Sequence, residues 1–455
     1  MARRQSSSVE RQAFHLESSA RALIPMGMAT LLPDAAQRVR HLEATIFDGF
    51  SRWGFQEIIP PTFEYLDVLS GGLPAETLEK CYKFADWTTG RILVLRPDVT
   101  AQIARIVAMG MAGQGLPLRL CYRTTVFRYE PEHAGRDREV FQLGVELIGA
   151  DEASMDAEIL TLLVESLKTL GLPDFKISLG HVGFYQALLA KSGLSVQGQK
   201  QAEIAAARKD LPALERILKS ERVSSVVARP ILEAPGRYGR EEVLQWGQRV
   251  AGRDQRLVKP IERLTRVYRL LEETGIKDHL LLDLGEFRGF DYYDGLVFDV
   301  FSGKVGCELG GGGRYNHLIG RFGRELPSTG FALDIDRVFH ALNHVNHGLP
   351  NPSPSVLLVS PLNRYGAAFK AAQFLRAQKM TVLQETLTGP AVSQSRIARK
   401  RAHEAGVKWL VQVGQSRMKN QEVGVIRMAD KGTTQRTIRL ADLPDVITKD
   451  HHGSI

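Results

Sequence analysis

The chain has 455 residues, 44% hydrophobic and 24% charged, an ordinary globular composition with length for about three domains at roughly 150 residues each. No apolar run approaches the ~18 residues a membrane-crossing helix needs, and the opening MARRQSSSVERQAFHLESSA has no apolar stretch of the secretory-signal kind. Cys81, Cys121 and Cys307 are the three cysteines and show no CxxC spacing, which excludes a zinc ribbon and a disulfide framework and makes the cytoplasm the expected compartment. The formal charge of +8 suits RNA, a nucleotide or an acidic partner, and equally suits plain solubility.

Residues 1–20 are polar and Ser-rich and are expected to form a flexible tail. In PDAAQRVRHLEATIFDGFSRWG, Val39, Leu42, Ile46, Phe47 and Phe50 recur at helical spacing, with Gly54 as the stop. The runs FQEIIPPTFEYL, CYKFAD, GRILVLRPD, LRLCYRTTVFRYE and REVFQLGVELIG, punctuated by Gly, Pro and Asp, predict an antiparallel sheet. DAEILTLLVESLKTLGL predicts a second amphipathic helix. From about 190 to 278 the texture is helical, as in AEIAAARKDLPALERILK and VKPIERLTRVYRLLEETG, and RPILEAPGRYGR between them reads as a loop. An all-α insertion is expected there. Strand signals return at HLLLDLGEF, GLVFDVF and KVGCELGGGGRY, and DIDRVFHALNHV predicts a closing helix. The proline-rich residues 346–354 read as a linker, and residues 355–445 alternate strand and helix, predicting a small α/β domain with a largely parallel sheet.

Three groups of residues could carry chemistry. In Leu95-Arg96-Pro97-Asp98-Val99-Thr100, the polar groups of Asp98 and Thr100 suit an ammonium, although either residue also reads as the N-cap of the helix that follows. Alternation puts Arg128 and Glu130 on one face of their strand, and Gln142, Gly144 and Glu146 on one face of the next. An Arg suits a carboxylate or phosphate and the acids suit an ammonium, while cross-strand salt bridges on a solvated face are the plainer account. Tyr292, Tyr293 and Tyr315 could wall a flat polar ring, and Gly310–Gly313 would allow close backbone approach or simply make a glycine-bulged hairpin. The glycine run is neither GxxxxGK[ST] nor GxGxxG, and the chain contains no HExxH and no GxSxG. Residue pattern alone stops at an amino-acid or nucleotide site on an antiparallel sheet.

The ordered segments GFQEIIPPTFEY, LRPDVT, FRYEPEHAGRDREVFQLGVE, RGFDYYDGLVF, GGGRYN and GFALDIDR, across about residues 23 to 345, resemble the histidyl-tRNA synthetase group of class II synthetases. The resemblance implies an α+β fold: an antiparallel sheet flanked by helices over residues 21–345, a helical insertion at about 190–278, and a C-terminal anticodon-binding-like α/β domain. The group holds the synthetase, which charges tRNA with histidine using ATP, and a paralogous family, the regulatory subunits of ATP phosphoribosyltransferase. The chain leans to the latter. Asp98 stands where the synthetase pattern has Glu, Pro131 and Glu132 replace an arginine and a proline of FRxERP, and Glu286 replaces an apolar residue. Losing a positive charge and gaining a negative one disfavours a polyphosphate twice.

What the resemblance implies is then a regulatory or activating subunit for the first step of histidine biosynthesis, without catalytic residues, metal or cofactor. The synthetase is the alternative. The expected histidine pocket has Asp98, Thr100 and Gln142 at the α-ammonium, Arg128 and Arg288 near the carboxylate, Glu146 and Tyr293 at the imidazole, and Tyr292 and Tyr315 in the wall. Glu130 and Arg337 would be remnants of a nucleotide site. The expected partners are a short catalytic phosphoribosyltransferase subunit, histidine as effector and a second copy of the chain within a hetero-oligomer; tRNA and membrane are not expected partners. The basic stretches RKRAHEAGVKW and QSRMKN would suit RNA, but a solvated helix face accounts for them more simply.

Overall fold

A computed structural model describes residues 24–25, 27–111, 113–129, 138–285, 292–303, 306–343, 356–388, 391–414, 421–428 and 435–449. The expected tail and linker lie outside the described residues. The chain divides into two compact units, Met1–Leu349 and Pro350–Ile455.

The N-terminal unit is built on a nine-stranded sheet in the order Gln56–Glu57, Leu118–Phe127, Glu139–Ile148, Ser328–Asp334, Cys307–Arg314, Leu296–Ser302, Phe175–His181, Leu280–Asp283 and Tyr238–Gly239. Its middle six strands are antiparallel throughout, whereas Gln56–Glu57 and Leu280–Asp283 add in parallel. The period of two along each strand decides what lies on either side. From Glu139–Ile148, Leu143, Val145 and Leu147 enter the large helix-side core, while Val140 and Ile148 join a second apolar cluster on the opposite face. Leu118, Leu120, Tyr122 and Val126 likewise go to that second face, and Cys121 to the first.

The helix Pro33–Arg52 starts on a proline, which needs no N–H at that position, and carries Asp34 in its first turn and Arg52 in its last, complementing the helix dipole. It buries Val39, Leu42, Ile46 and Phe50 as its spacing predicts, and Gly54 ends the segment at φ +81°. Phe50 meets Phe331 of the sheet edge-on at 5.8 Å between ring centroids. The helix Ala153–Thr169 covers the same face.

The glycine run lies inside the sheet, on the strand Cys307–Arg314, which pairs with neighbours on both sides. Val300 pairs with Gly310 and Phe301 with Glu308, so Leu309 is an extra residue, a β-bulge. The bulge shifts the alternation that follows. Arg314 therefore enters the helix side and Tyr315 the other face.

Three expectations need correction. The 190–278 segment is not all-α: it supplies Tyr238–Gly239 to the edge of the main sheet, and Ala202, Leu214, Ile231, Val243 and Leu257 share the sheet's own core. Nor is RPILEAPGRYGR simply a loop, because Ser225–Glu233 is helical through Pro230. Ile231 is fully buried and its carbonyl accepts the Tyr185 hydroxyl at 3.1 Å, so packing overrides the proline signal. The segments Phe63–Tyr65, Ile92–Leu95 and Lys83–Ala85 form a small sheet of their own rather than extending the main one.

In the C-terminal unit the strands run Val382–Leu387, Val356–Pro361, Trp409–Val413, Glu422–Arg427, Arg436–Arg439. The first three are parallel and the last two antiparallel, so the sheet is more mixed than expected. Its second strand, Val356–Pro361, buries both faces. Val356 and Leu358 pack toward the helix Tyr365–Ala377, and Leu357 and Val359 toward Ala398 and Ala402 of Ala391–Glu404, which is why VLLVSP reads as a continuous apolar run. No helix among the described residues is long and apolar enough to cross a membrane.

Candidate functional site

The second face of the main sheet holds a polar cavity lined by Asp98, Thr100, Tyr122, Arg128, Gln142, Glu146, Glu308, Asp334 and the three tyrosines Tyr292, Tyr293 and Tyr315. Asp98 precedes the helix Thr100–Gly110 and serves two purposes. Its Oδ1 accepts the Ala101 N–H at 2.9 Å, as a cap does, and its Oδ2 accepts the Tyr292 hydroxyl at 3.3 Å. Asp98 thus caps the helix and also lines the cavity.

Glu146 is 1% exposed. Thr100 Oγ1 donates to its Oε1 at 2.7 Å and the Tyr315 hydroxyl donates to its Oε2. Burial pushes its carboxyl up to about 8, against the pull of those two hydroxyls and with a smaller push from the Asp98 charge. Gly330 makes the position possible, since a Cβ there would collide with Glu146 Oε2. Gly144 similarly leaves room for the Tyr122 ring, whose phenol burial holds well above its usual range.

The tyrosine rings form a connected wall: Tyr292 to Tyr293 at 4.7 Å, Tyr292 to Tyr315 at 5.9 Å and Tyr293 to Tyr315 at 6.4 Å between centroids. Gln142 Nε2 donates to Asp334 Oδ1 at 2.8 Å, which leaves the amide oxygen as its acceptor. Arg128 Nε donates to the Pro97 carbonyl at 2.7 Å. Behind Tyr315, on the helix side, Asp156 (2% side-chain exposure) takes Arg314 at 2.8 Å and Arg263 of the insertion at 2.7 Å.

Eight residues expected at the site, Asp98, Thr100, Arg128, Gln142, Glu146, Tyr292, Tyr293 and Tyr315, line this one cavity. Glu130, Pro131, Glu132 and Arg288 lie outside the described residues. Arg337 is not among the described lining residues: it donates to the Glu308 carbonyl at 3.1 Å and pairs with Asp334 at 3.3 Å. Sequence reasoning missed Tyr122, Glu308 and Asp334. Tyr122 shares its strand parity with Arg128, a usable signal; Asp334 faces Gln142 only through the register of two strands distant in sequence.

Among the described lining residues there is no serine, cysteine or lysine, and among the described residues no group of three or more His, Cys, Asp or Glu side chains is placed to hold a metal. The arrangement suits recognition of a small ligand with an ammonium and a polar ring.

A family model described as histidyl-tRNA synthetase matches residues 27–338. The ATP phosphoribosyltransferase regulatory subunit of Geobacter metallireducens is 35% identical over 92% of this chain and 95% of its own. That of Moorella thermoacetica is 38% identical over 85% of this chain and 97% of its own. Among solved structures, an ATP phosphoribosyltransferase regulatory subunit/histidyl-tRNA synthetase from Bacillus halodurans superposes with a TM-score of 0.76 at 27% identity, over 88% of this chain and 100% of that one. A histidyl-tRNA synthetase from Nostoc shares the fold at a TM-score of 0.78 and 19% identity, over 95% of this chain and 100% of that one.

Proposed function

Because the chain belongs to the ATP phosphoribosyltransferase regulatory subunits, a family on the histidyl-tRNA synthetase fold, we propose that it is a non-catalytic cytoplasmic subunit that binds free histidine in the Glu146 cavity. It conveys histidine control of the first step of histidine biosynthesis to a short catalytic phosphoribosyltransferase subunit. The observation that carries this reading is the buried Glu146 with its two hydroxyl donors beside the tyrosine wall. A carboxyl with a pKa near 8 and an imidazole near 6.5 can share one proton between them around neutral pH. Asp98 and the Gln142 amide oxygen supply acceptors for the α-ammonium, and Arg128 supplies the cation for the carboxylate.

Control then follows from linkage. Histidine shifts the balance between active and inactive complexes by the difference in its affinity for the two, typically ~1 to 3 kcal/mol in allosteric proteins. We take the chain to pair with a second copy inside a hetero-oligomer, a reading supported by the short edge strand Gln56–Glu57 and by Ile59, 82% exposed just beyond it.

The test is calorimetric titration of the purified chain with histidine, followed by mixing with a short catalytic subunit. Saturable heat, phosphoribosyltransferase activity that appears on mixing, and its fall with added histidine are expected. No heat at millimolar histidine, or histidine-dependent ATP–pyrophosphate exchange at enzyme-like rates, would overturn the reading.

A further inference from the structure

One end of the cavity is acidic, with Glu308 and Asp334 in its lining. Asp334 closes the strand Ser328–Asp334 immediately before the helix Ile335–Asn343, a place where a carboxylate is ordinarily a helix cap. Its side chain accepts from the Gln142 amide at 2.8 Å and pairs with the Arg337 guanidinium at 3.3 Å. Arg337 is further held by the Glu308 carbonyl at 3.1 Å. A guanidinium that could have met an anionic ligand is therefore engaged by the wall itself.

We propose that Asp334 is a specificity-determining residue that closes this cavity to nucleotides by engaging Arg337. Among the described lining residues the acids are Asp98, Glu146, Glu308 and Asp334, and Arg128 is the one basic side chain. A triphosphate entering such a wall meets like charge in a partly desolvated site, where charges are poorly screened. A ligand carrying an ammonium meets the opposite sign. The inference needs only the cavity and not histidine as its occupant, so the two readings fail separately.

The experiment titrates ATP in EDTA, which removes metal bridging, into the full chain and into Asp334→Asn, Asp334→Ala and the double variant Asp334→Asn with Arg337→Met. The unchanged chain is expected to show no saturable binding up to millimolar ATP. Both single variants should bind at least about tenfold below that limit, because Arg337 is released, and the second substitution should abolish the gain. A structural role for Asp334 alone would lower the melting temperature without creating nucleotide affinity. Asp334→Asn keeps the side-chain shape and an acceptor for Gln142, so it decides the matter if Asp334→Ala does not fold. Tight ATP binding by the unchanged chain, no gain in the folded variants, or a gain that survives Arg337→Met would each overturn the proposal.

Discussion

Replacing Glu146 by Gln should change how stability depends on pH. An unfolded glutamate titrates near 4.5, whereas burial pushes the folded Glu146 up to about 8. Between those values the folded chain holds a proton that the unfolded chain has lost, so stability falls as pH rises through that window. Below pH 4.5 both states are protonated and Glu146 contributes no slope; above pH 8 its ionised form disfavours the fold in full. The distance from 4.5 to about 8, at ~1.4 kcal/mol per pH unit, sets a ceiling of ~5 kcal/mol, a large share of a typical domain's ~5–15 kcal/mol. Gln is close in shape to protonated Glu and can still accept from Thr100 or Tyr315. The two proteins should therefore differ by no more than ~1 kcal/mol at pH 5, with the variant more stable by several kcal/mol at pH 8.5. Urea unfolding of both full-length proteins from pH 5 to 9, compared at each pH so that the C-terminal unit cancels, measures this difference. A difference that stays constant across the range would refute the reasoning.

The same carboxyl governs proton exchange on histidine binding. A bound pair holding one proton should take up or release almost none at pH 7, take up close to one at pH 9 and release close to one at pH 5.5, as read by calorimetry in buffers of different ionisation enthalpy; equal release at every pH would contradict the pairing. Gly330→Ala should lower stability by ~1–3 kcal/mol through overpacking against Glu146 and weaken histidine binding at least about tenfold, by thermal melt and titration. Gly366, whose Cβ would meet nothing within 4 Å inside the helix Tyr365–Ala377, is the contrasting site, where Ala should gain up to ~1 kcal/mol. Asp156→Ala should cost ~3–5 kcal/mol in urea unfolding, because the buried Arg314 and the partly exposed Arg263 lose their buried carboxylate and keep only the exposed Asp151.

How far the site was legible depended on whether its geometry is local. Gln142, Gly144 and Glu146 share a strand, and a period of two is enough to put them on one side. Asp98 sits at a strand-to-helix turn whose cap chemistry is written in five residues. Tyr315 is different. Strict alternation from Glu308 would send Arg314 into the cavity and Tyr315 away from it; the extra Leu309 reverses this. Nothing local in ELGGGGRY announces a bulge at Leu309 rather than among the glycines. Asp334 belongs to the site through pairing with Gln142 in a strand nearly two hundred residues away, information that no window of sequence contains. The same holds for the insertion, where Tyr238–Gly239 is a strand only because Leu282 and Asp283 offer it an edge.

The division of each central strand between two faces also bears on how such a scaffold evolves. Leu143, Val145 and Leu147 hold the helix layer in place, and their neighbours Gln142 and Glu146 line the cavity, with Gly144 between them making room for the Tyr122 ring. Ancestral and descendant chains can exchange the second set one residue at a time while the first set keeps the protein folded at every step. A lineage that changes its chemistry in this way need not pass through an unfolded ancestor. A saturation scan of Glu139–Ile148, scored for folding and for ligand binding in separate channels, would show the trace of that freedom as two interleaved combs, each tolerant where the other is strict.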